Sequence, residues 1–171
     1  MSVDPSLVCS YCQQPVQGRD LDFRFKLPDP ILEIPEAERS QRVRESGDVV
    51  GAEGIGVFVR VMLPVMLTDD FRITYGTWLA LTNRGDFDRA RRLWHSDEYS
   101  SLILEGVIAN GIEPWGPPLM TQARATVKDT NQVPYVETIY DESLAAVINH
   151  TWPRSWVLSA IPHAAWHSHA H

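Results

Sequence analysis

A chain of 171 residues with 44% hydrophobic and 22% charged residues has the size and composition of one folded domain with a sizeable core. Its formal charge of −7, with arginines interleaved among acids, argues against nucleic-acid binding, which demands a basic surface. No apolar run approaches the ~18 residues of a membrane helix, and Met1 to Pro5 has neither the basic region nor the apolar core of a secretory signal, so a cytoplasmic location is expected.

The first feature is Cys9-Ser10-Tyr11-Cys12, the only cysteines. Their spacing lets two sulfurs converge on a metal or form a redox pair. A closed zinc site needs four ligands, and there is neither a second Cys-x-x-Cys nor a nearby histidine. Cys9 and Cys12 are therefore the candidate metal residues, with reduced, metal-free thiols as the expected state and zinc as the alternative.

Leu21, Phe23, Phe25 and Leu27 alternate along one side of a short piece that reads as an edge strand. Pro28 and Pro30 are expected to forbid helix and ladder pairing after it. A helix opens at Pro35, with Glu36 and Glu38 in its first turn, a Glu38–Arg42 pair, and Gly47 as its stop.

The stretch from Gly56 to Trp94 organises the chain. Val57, Val59, Val61 and Leu63 share one face of a strand that Pro64 is expected to end or bend. Thr68-Asp69-Asp70 turns the chain into a second alternating run, Phe71, Ile73, Tyr75, Thr77, Leu79 and Leu81. On its other face Gly76 leaves a gap beside Tyr75 and Trp78, which suits a packing contact or the close approach of a backbone or ligand. Asp86 is expected to cap a helix whose apolar side is Phe87, Ala90, Leu93 and Trp94. Trp78 and Trp94 should both be buried where strand and helix cover each other.

Leu102-Ile103-Leu104 with Val107 and Ile108 predicts a second short helix, stopped by Asn110-Gly111. Thr121 to Lys128 and Val133 to Tyr140 predict a hairpin across Asp129-Thr130-Asn131. Asp141 or Ser143 caps a closing helix that runs through His150 and ends before Pro153. The tail carries His163, His167, His169 and His171, a pattern that binds transition metals adventitiously.

Cys9 and Cys12, Leu21 to Phe23, Pro28-Asp29, Pro35 to Arg39, Phe58-Val59-Arg60, Tyr75-Gly76-Thr77-Trp78 and Leu93-Trp94 together carry a resemblance to an uncharacterised bacterial family catalogued as domain of unknown function 2199. It implies fold kinship over residues 9 to about 140 and brings no reaction, substrate or catalytic residue. Two departures stand out. Gln13 and Gln14-Pro15-Val16 replace the glycine and histidine that usually follow the knuckle, and only Ser143-Leu144-Ala145 stands where members carry a His-Pro-Leu-Ala segment.

The expected architecture is α+β, mainly antiparallel sheet with helices packed on one face behind an N-terminal Cys-x-x-Cys knuckle. Residues 1–150 form the domain and 151–171 a divergent, flexible tail. Phosphate loops, nucleophile elbows and His-Glu-x-x-His pairs are absent from the sequence. The favoured function is a non-catalytic cytoplasmic binding module, with a basic protein partner suggested by the acidic charge. The alternative is a small enzyme using carboxylates and His95 in a groove beside Trp78 and Gly76. Asp69 with Asp70, and Asp86 with Asp88, are the carboxylate pairs available, although turn and cap chemistry also accounts for them.

Overall fold

The structure, a computed structural model, describes residues 20–116 and 121–161. Two strands dominate it, β4 (Gly56–Leu67) and β5 (Arg72–Leu81), paired antiparallel from Phe58↔Ala80 to Met66↔Arg72. Asp69 and Asp70 make the turn between them with φ of 62° and 60°. Two successive left-handed residues give the backbone twist a tight hairpin needs, and aspartate tolerates that conformation better than most side chains. Alternation then sorts the residues. Val59, Val61, Leu63 and Val65 from β4, with Ile73, Tyr75 and Leu79 from β5, enter one core, while Phe58 and Trp78 enter a second on the opposite face.

Beyond β5 the sheet continues through β6 (Ile103–Ile108), β7 (Gln122–Thr126) and β8 (Tyr135–Ile139), each antiparallel to the last. β8 then meets β4 at Met62↔Tyr135, with the Met62 N–H donating to the Pro134 carbonyl at 2.8 Å. This closes a five-stranded barrel. The remaining strands decorate it. β1 (Asp20–Arg24) lies parallel on β5, β2 (Val43–Ser46) and β3 (Val49–Ala52) form a hairpin on the first part of β4, and β9 (Thr151–Trp152) lies on its end.

The expected α+β sheet with helices on one face is therefore wrong. Helices are few and short, and the sheet curls onto itself instead of waiting for a helical layer. The physical reason lies in β4, whose one edge is taken by β5 while the other is shared in turn by β3, β8 and β9. Pro64 does not end this strand. The N–H groups of Arg60 and Met62 point away from β5, to Asp48 and Pro134. By the two-residue period the missing N–H of Pro64 faces the same way, where β8 has left the edge and β9 has not yet joined.

The helix expected near residue 104 is the strand β6. Leu102, Leu104, Gly106 and Ile108 are buried in strict alternation, and Gly106 fits the interior side because a Cβ there would lie 2.3 Å from the Ala80 carbonyl oxygen. Pro28 and Pro30 likewise do not exclude helix. α1 (Asp29–Leu32) places Pro30 in its first turn, where no N–H is required. α2 (Glu36–Arg42) carries the expected Glu38–Arg42 pair at 3.4 Å but stops before β2, and Gly47 serves the β2–β3 turn with φ 59°.

α3 (Arg84–Leu93) is capped by Asn83, whose side chain accepts from the Gly85 N–H at 2.8 Å, rather than by Asp86. Asp86 is buried in the first turn and paired with Arg89. Trp78 is buried, but not against this helix: it packs with Leu27, Ile31 and Ile34 of the α1 segment, while Trp94 is half-buried against the barrel core. α4 (Glu142–Asn149) has the predicted Asp141 cap, and α5 (Arg154–Ser159) adds Val157 and Leu158 to the core. No helix among the described residues is long and apolar enough to cross a membrane.

A buried polar network fastens the α1 segment to the outside of the barrel. Asn110 accepts from the Thr77 hydroxyl at 2.9 Å and the Trp78 N–H at 3.1 Å, and donates to the Leu27 carbonyl and Asp29, each at 3.0 Å. The Asp29 carboxylate also accepts from the Gly111 N–H. Every polar atom of the buried Asn110 side chain is thus engaged, as burial of an amide requires.

Candidate functional site

Arg60 is the side chain on which the candidate site is built. It stands mid-strand between Phe58 and Met62, on the face of β4 turned away from the barrel core. Its guanidinium donates to the Gly76 carbonyl at 3.0 Å and the Phe25 carbonyl at 3.1 Å, lies 4.2 Å from the Trp78 ring centroid, and comes within 3.5 Å of Asp48. Desolvation lowers the pKa of Arg60, Asp48 opposes that effect, and neighbouring Arg24 adds to it.

Gly76 explains how two arginines fit side by side. A Cβ at this position would stand 3.0 Å from the Arg24 side chain and 3.3 Å from that of Arg60. The gap expected at Gly76 is filled by these side chains. Arg24, at the end of β1, is exposed and makes no hydrogen bond or ion pair among the described residues.

Around this pair lies a cleft of about 330 Å³, whose wall includes Asp48 from the β2–β3 turn, Trp94 and His95 from the end of α3, Tyr99, and Gln132 from the β7–β8 loop. The Tyr99 hydroxyl donates to the Gln132 carbonyl at 2.6 Å, tying the loop to the wall. Burial, reinforced by the Asp48 carboxylate, pushes the Tyr99 phenol up to about 12, so it stays protonated near neutrality. A second cleft of about 380 Å³ shares Asp48, Trp94 and His95 with the first, and adds Val49, Phe87 and Ala90. The polar and the apolar cleft therefore adjoin across a common wall.

His95 thus lies in a cleft and shares it with one carboxylate, that of Asp48. Trp78 is nearby but is not a wall of it, being 1% exposed beneath Arg60. The carboxylate pairs foreseen from the sequence do not join them. Asp69 sits in the β4–β5 turn facing Arg154 at 3.7 Å, and Asp86 is engaged by Arg89. Neither pair lines the clefts of His95.

Cys9 and Cys12 lie outside the described residues, as do His163, His167, His169 and His171. Among the described residues no group of three or more His, Cys, Asp or Glu could hold a metal ion. Sequence reasoning missed Arg24, Asp48, Tyr99 and Gln132. One signal was present: a lone arginine at position 60 between two large apolar residues of one strand face, with Trp78 opposite it in the β4–β5 register and Gly76 one rung along that face, opposite Met62.

The sequence model of a family described as an uncharacterized protein conserved in bacteria, DUF2199, matches residues 8–149. The chain belongs to that family, whose description carries no activity. Neither a curated protein nor a solved structure matched the chain.

Proposed function

We propose that this protein is a non-catalytic, cytoplasmic binding module whose ligand enters the adjoining clefts beside Trp94 and His95. The observation that carries the reading is convergence: β1, the β2–β3 turn, β4, the end of α3 and the β7–β8 loop each send side chains to one concavity outside the barrel. Its volume falls at the lower end of the range that small ligands occupy.

The enzyme reading is weaker on chemistry. The wall of the polar cleft offers His95 and one carboxylate, its hydroxyl groups are those of Thr130 and of a tyrosine held protonated and bonded to a backbone carbonyl, and the one serine, Ser46, lines the adjoining cleft instead. The net charge of −7 continues to favour a basic protein partner elsewhere on the surface, because the clefts themselves carry the opposite sign.

The test is a titration of isotope-labelled protein with a panel of anionic, cationic and neutral small molecules, following the Trp94 indole and His95 imidazole signals. Saturable shifts from one class, with the compound recovered unchanged, support a binding module. A compound consumed at a rate that His95→Ala abolishes would make the protein an enzyme. Silence at both residues across the panel would remove the site.

A further inference from the structure

Resting on the binding reading above, we infer that the ligand is a small amphipathic anion, with its anionic oxygen group against Arg24 and its apolar body beside Phe87. Three arginines, Arg24, Arg60 and Arg91, line the two clefts against the single carboxylate of Asp48. That is a local excess of positive charge on a protein whose net charge is −7.

The two arginines of the polar cleft differ in what they can give. Arg60 is spent on the Gly76 and Phe25 carbonyls and on Asp48, so it contributes field more than donors. Arg24 has its whole donor fork free among the described residues, and Gly76 lets its stem lie close beside Arg60. Packing like charges together without a second acid is unfavourable, and an anion accepting from Arg24 would relieve it while gaining a charge-assisted bond. Burial disfavours the charged form of Arg60, and Asp48 counters that by more than Arg24 adds to it, so Asp48 answers Arg60 and the open donors are those of Arg24.

The apolar requirement comes from the neighbouring cleft. Phe87, Ala90, Val49 and Val59 line it, and Trp94 forms the wall between the two halves. A ligand with charge alone would leave that surface wet, whereas a chain or ring of a few carbons would cover it.

Calorimetric titration with sodium hexanoate, sodium acetate, hexan-1-ol and hexylamine separates the two requirements. Hexanoate should bind at least about tenfold more tightly than acetate, hexan-1-ol or hexylamine, the factor that one charge-assisted bond or a few buried methylenes supplies. Arg24→Gln should weaken hexanoate by about tenfold and leave hexan-1-ol unchanged, with Arg24→Lys intermediate. Phe87→Ser should reduce hexanoate to the level of acetate, and Arg72→Gln, outside the clefts and paired with Asp20, should change neither. Hexyl phosphate run in parallel tells which head group fits better, and tight binding of either ester or acid supports the inference.

Two results would overturn it: hexan-1-ol or hexylamine matching hexanoate, or a folded Arg24→Gln protein that binds hexanoate unchanged. If a cationic or neutral compound shifts Trp94 while every anion fails, the inference falls and the binding reading stands. If no compound shifts it, both fall.

Discussion

The Arg60 guanidinium and the Trp78 indole N–H donate to the same carbonyl, that of Phe25, each at 3.1 Å, while the guanidinium lies over the indole ring. One backbone oxygen thus joins the end of β1 to β4 and β5, and it lies where the second core meets the polar cleft.

Replacing Arg60 by methionine keeps an apolar stem over Trp78 but removes both carbonyl contacts. Arg60→Met should lower stability by about 2 kcal/mol or more, the scale of bonds from a charged donor to buried carbonyls. Urea unfolding measures it. A midpoint equal to that of the parent would mean the fork contributes nothing to the fold.

Gly106 faces the Ala80 carbonyl across the β5–β6 pair, and a Cβ would also stand 2.9 Å from Leu79. Neither neighbour can retreat without opening the barrel wall. Gly106→Ala should therefore cost about 3 kcal/mol or prevent soluble folding, as overpacking against rigid backbone does. Gly51→Ala is the control, because its nearest neighbour would be 3.9 Å away. Equal melting temperatures for the two variants would contradict the tight β5–β6 approach.

Alkaline pH should destabilise the protein through its buried phenols. Tyr99 is pushed up to about 12, and burial raises Tyr75 further, its hydroxyl finding no partner among the described residues. In the unfolded chain both ionise near pH ~10, so between about 10 and 12 the unfolded state has released protons that the folded state retains. The stability these groups contribute is whole below pH ~10 and declines as pH rises through that window. Urea midpoints measured from pH 8 to pH 11 should fall, and should fall less in the Tyr75→Phe, Tyr99→Phe double variant. An identical slope in that variant would assign the loss to other groups.

The Cys9 and Cys12 pair remains an expectation of the sequence. Two thiolates are half of a zinc site, which two further donors would have to complete. Protein purified without tag or chelator should carry much less than one zinc per chain, and the double serine variant should unfold at the parent's midpoint. Elemental analysis showing stoichiometric zinc, lost together with stability in that variant, would establish a metal knuckle instead.

What the sequence disclosed was whatever a period of two or a local cap can encode. The alternation of Val59 to Val65 and of Ile73 to Leu79 set the faces of β4 and β5, the β7–β8 hairpin followed its turn, and Asp141 announced α4. Leu102 to Ile108 satisfied both a helical and a strand spacing, and only the need for a small residue against Ala80 decides between them. Closure was not legible, because it depends on Met62 meeting Tyr135, a contact between distant segments that no local pattern specifies. The site shared this difficulty. His95 stood out as a residue type, but Arg24, Asp48 and Arg60 come from separate elements and mean something only once brought together. Asn110 was read as a helix stop, whereas its amide is the hub that ties Leu27 and Asp29 to β5.

The closing rung between Met62 and Tyr135 gives the molecule a mechanical asymmetry. β4 grips β5 along nearly its whole length, yet holds β8 at one register pair, so thermal breathing should start at that seam and unzip toward β7. Met62, Gln132 and Val133 line the polar cleft, and Pro134 receives the rung's hydrogen bond. The weakest stave of the barrel is therefore also a wall of the cleft. Any molecule lodged there bridges both sides of the seam and acts as a hoop around it, so occupancy would register first as slower deuterium uptake at the Met62 amide.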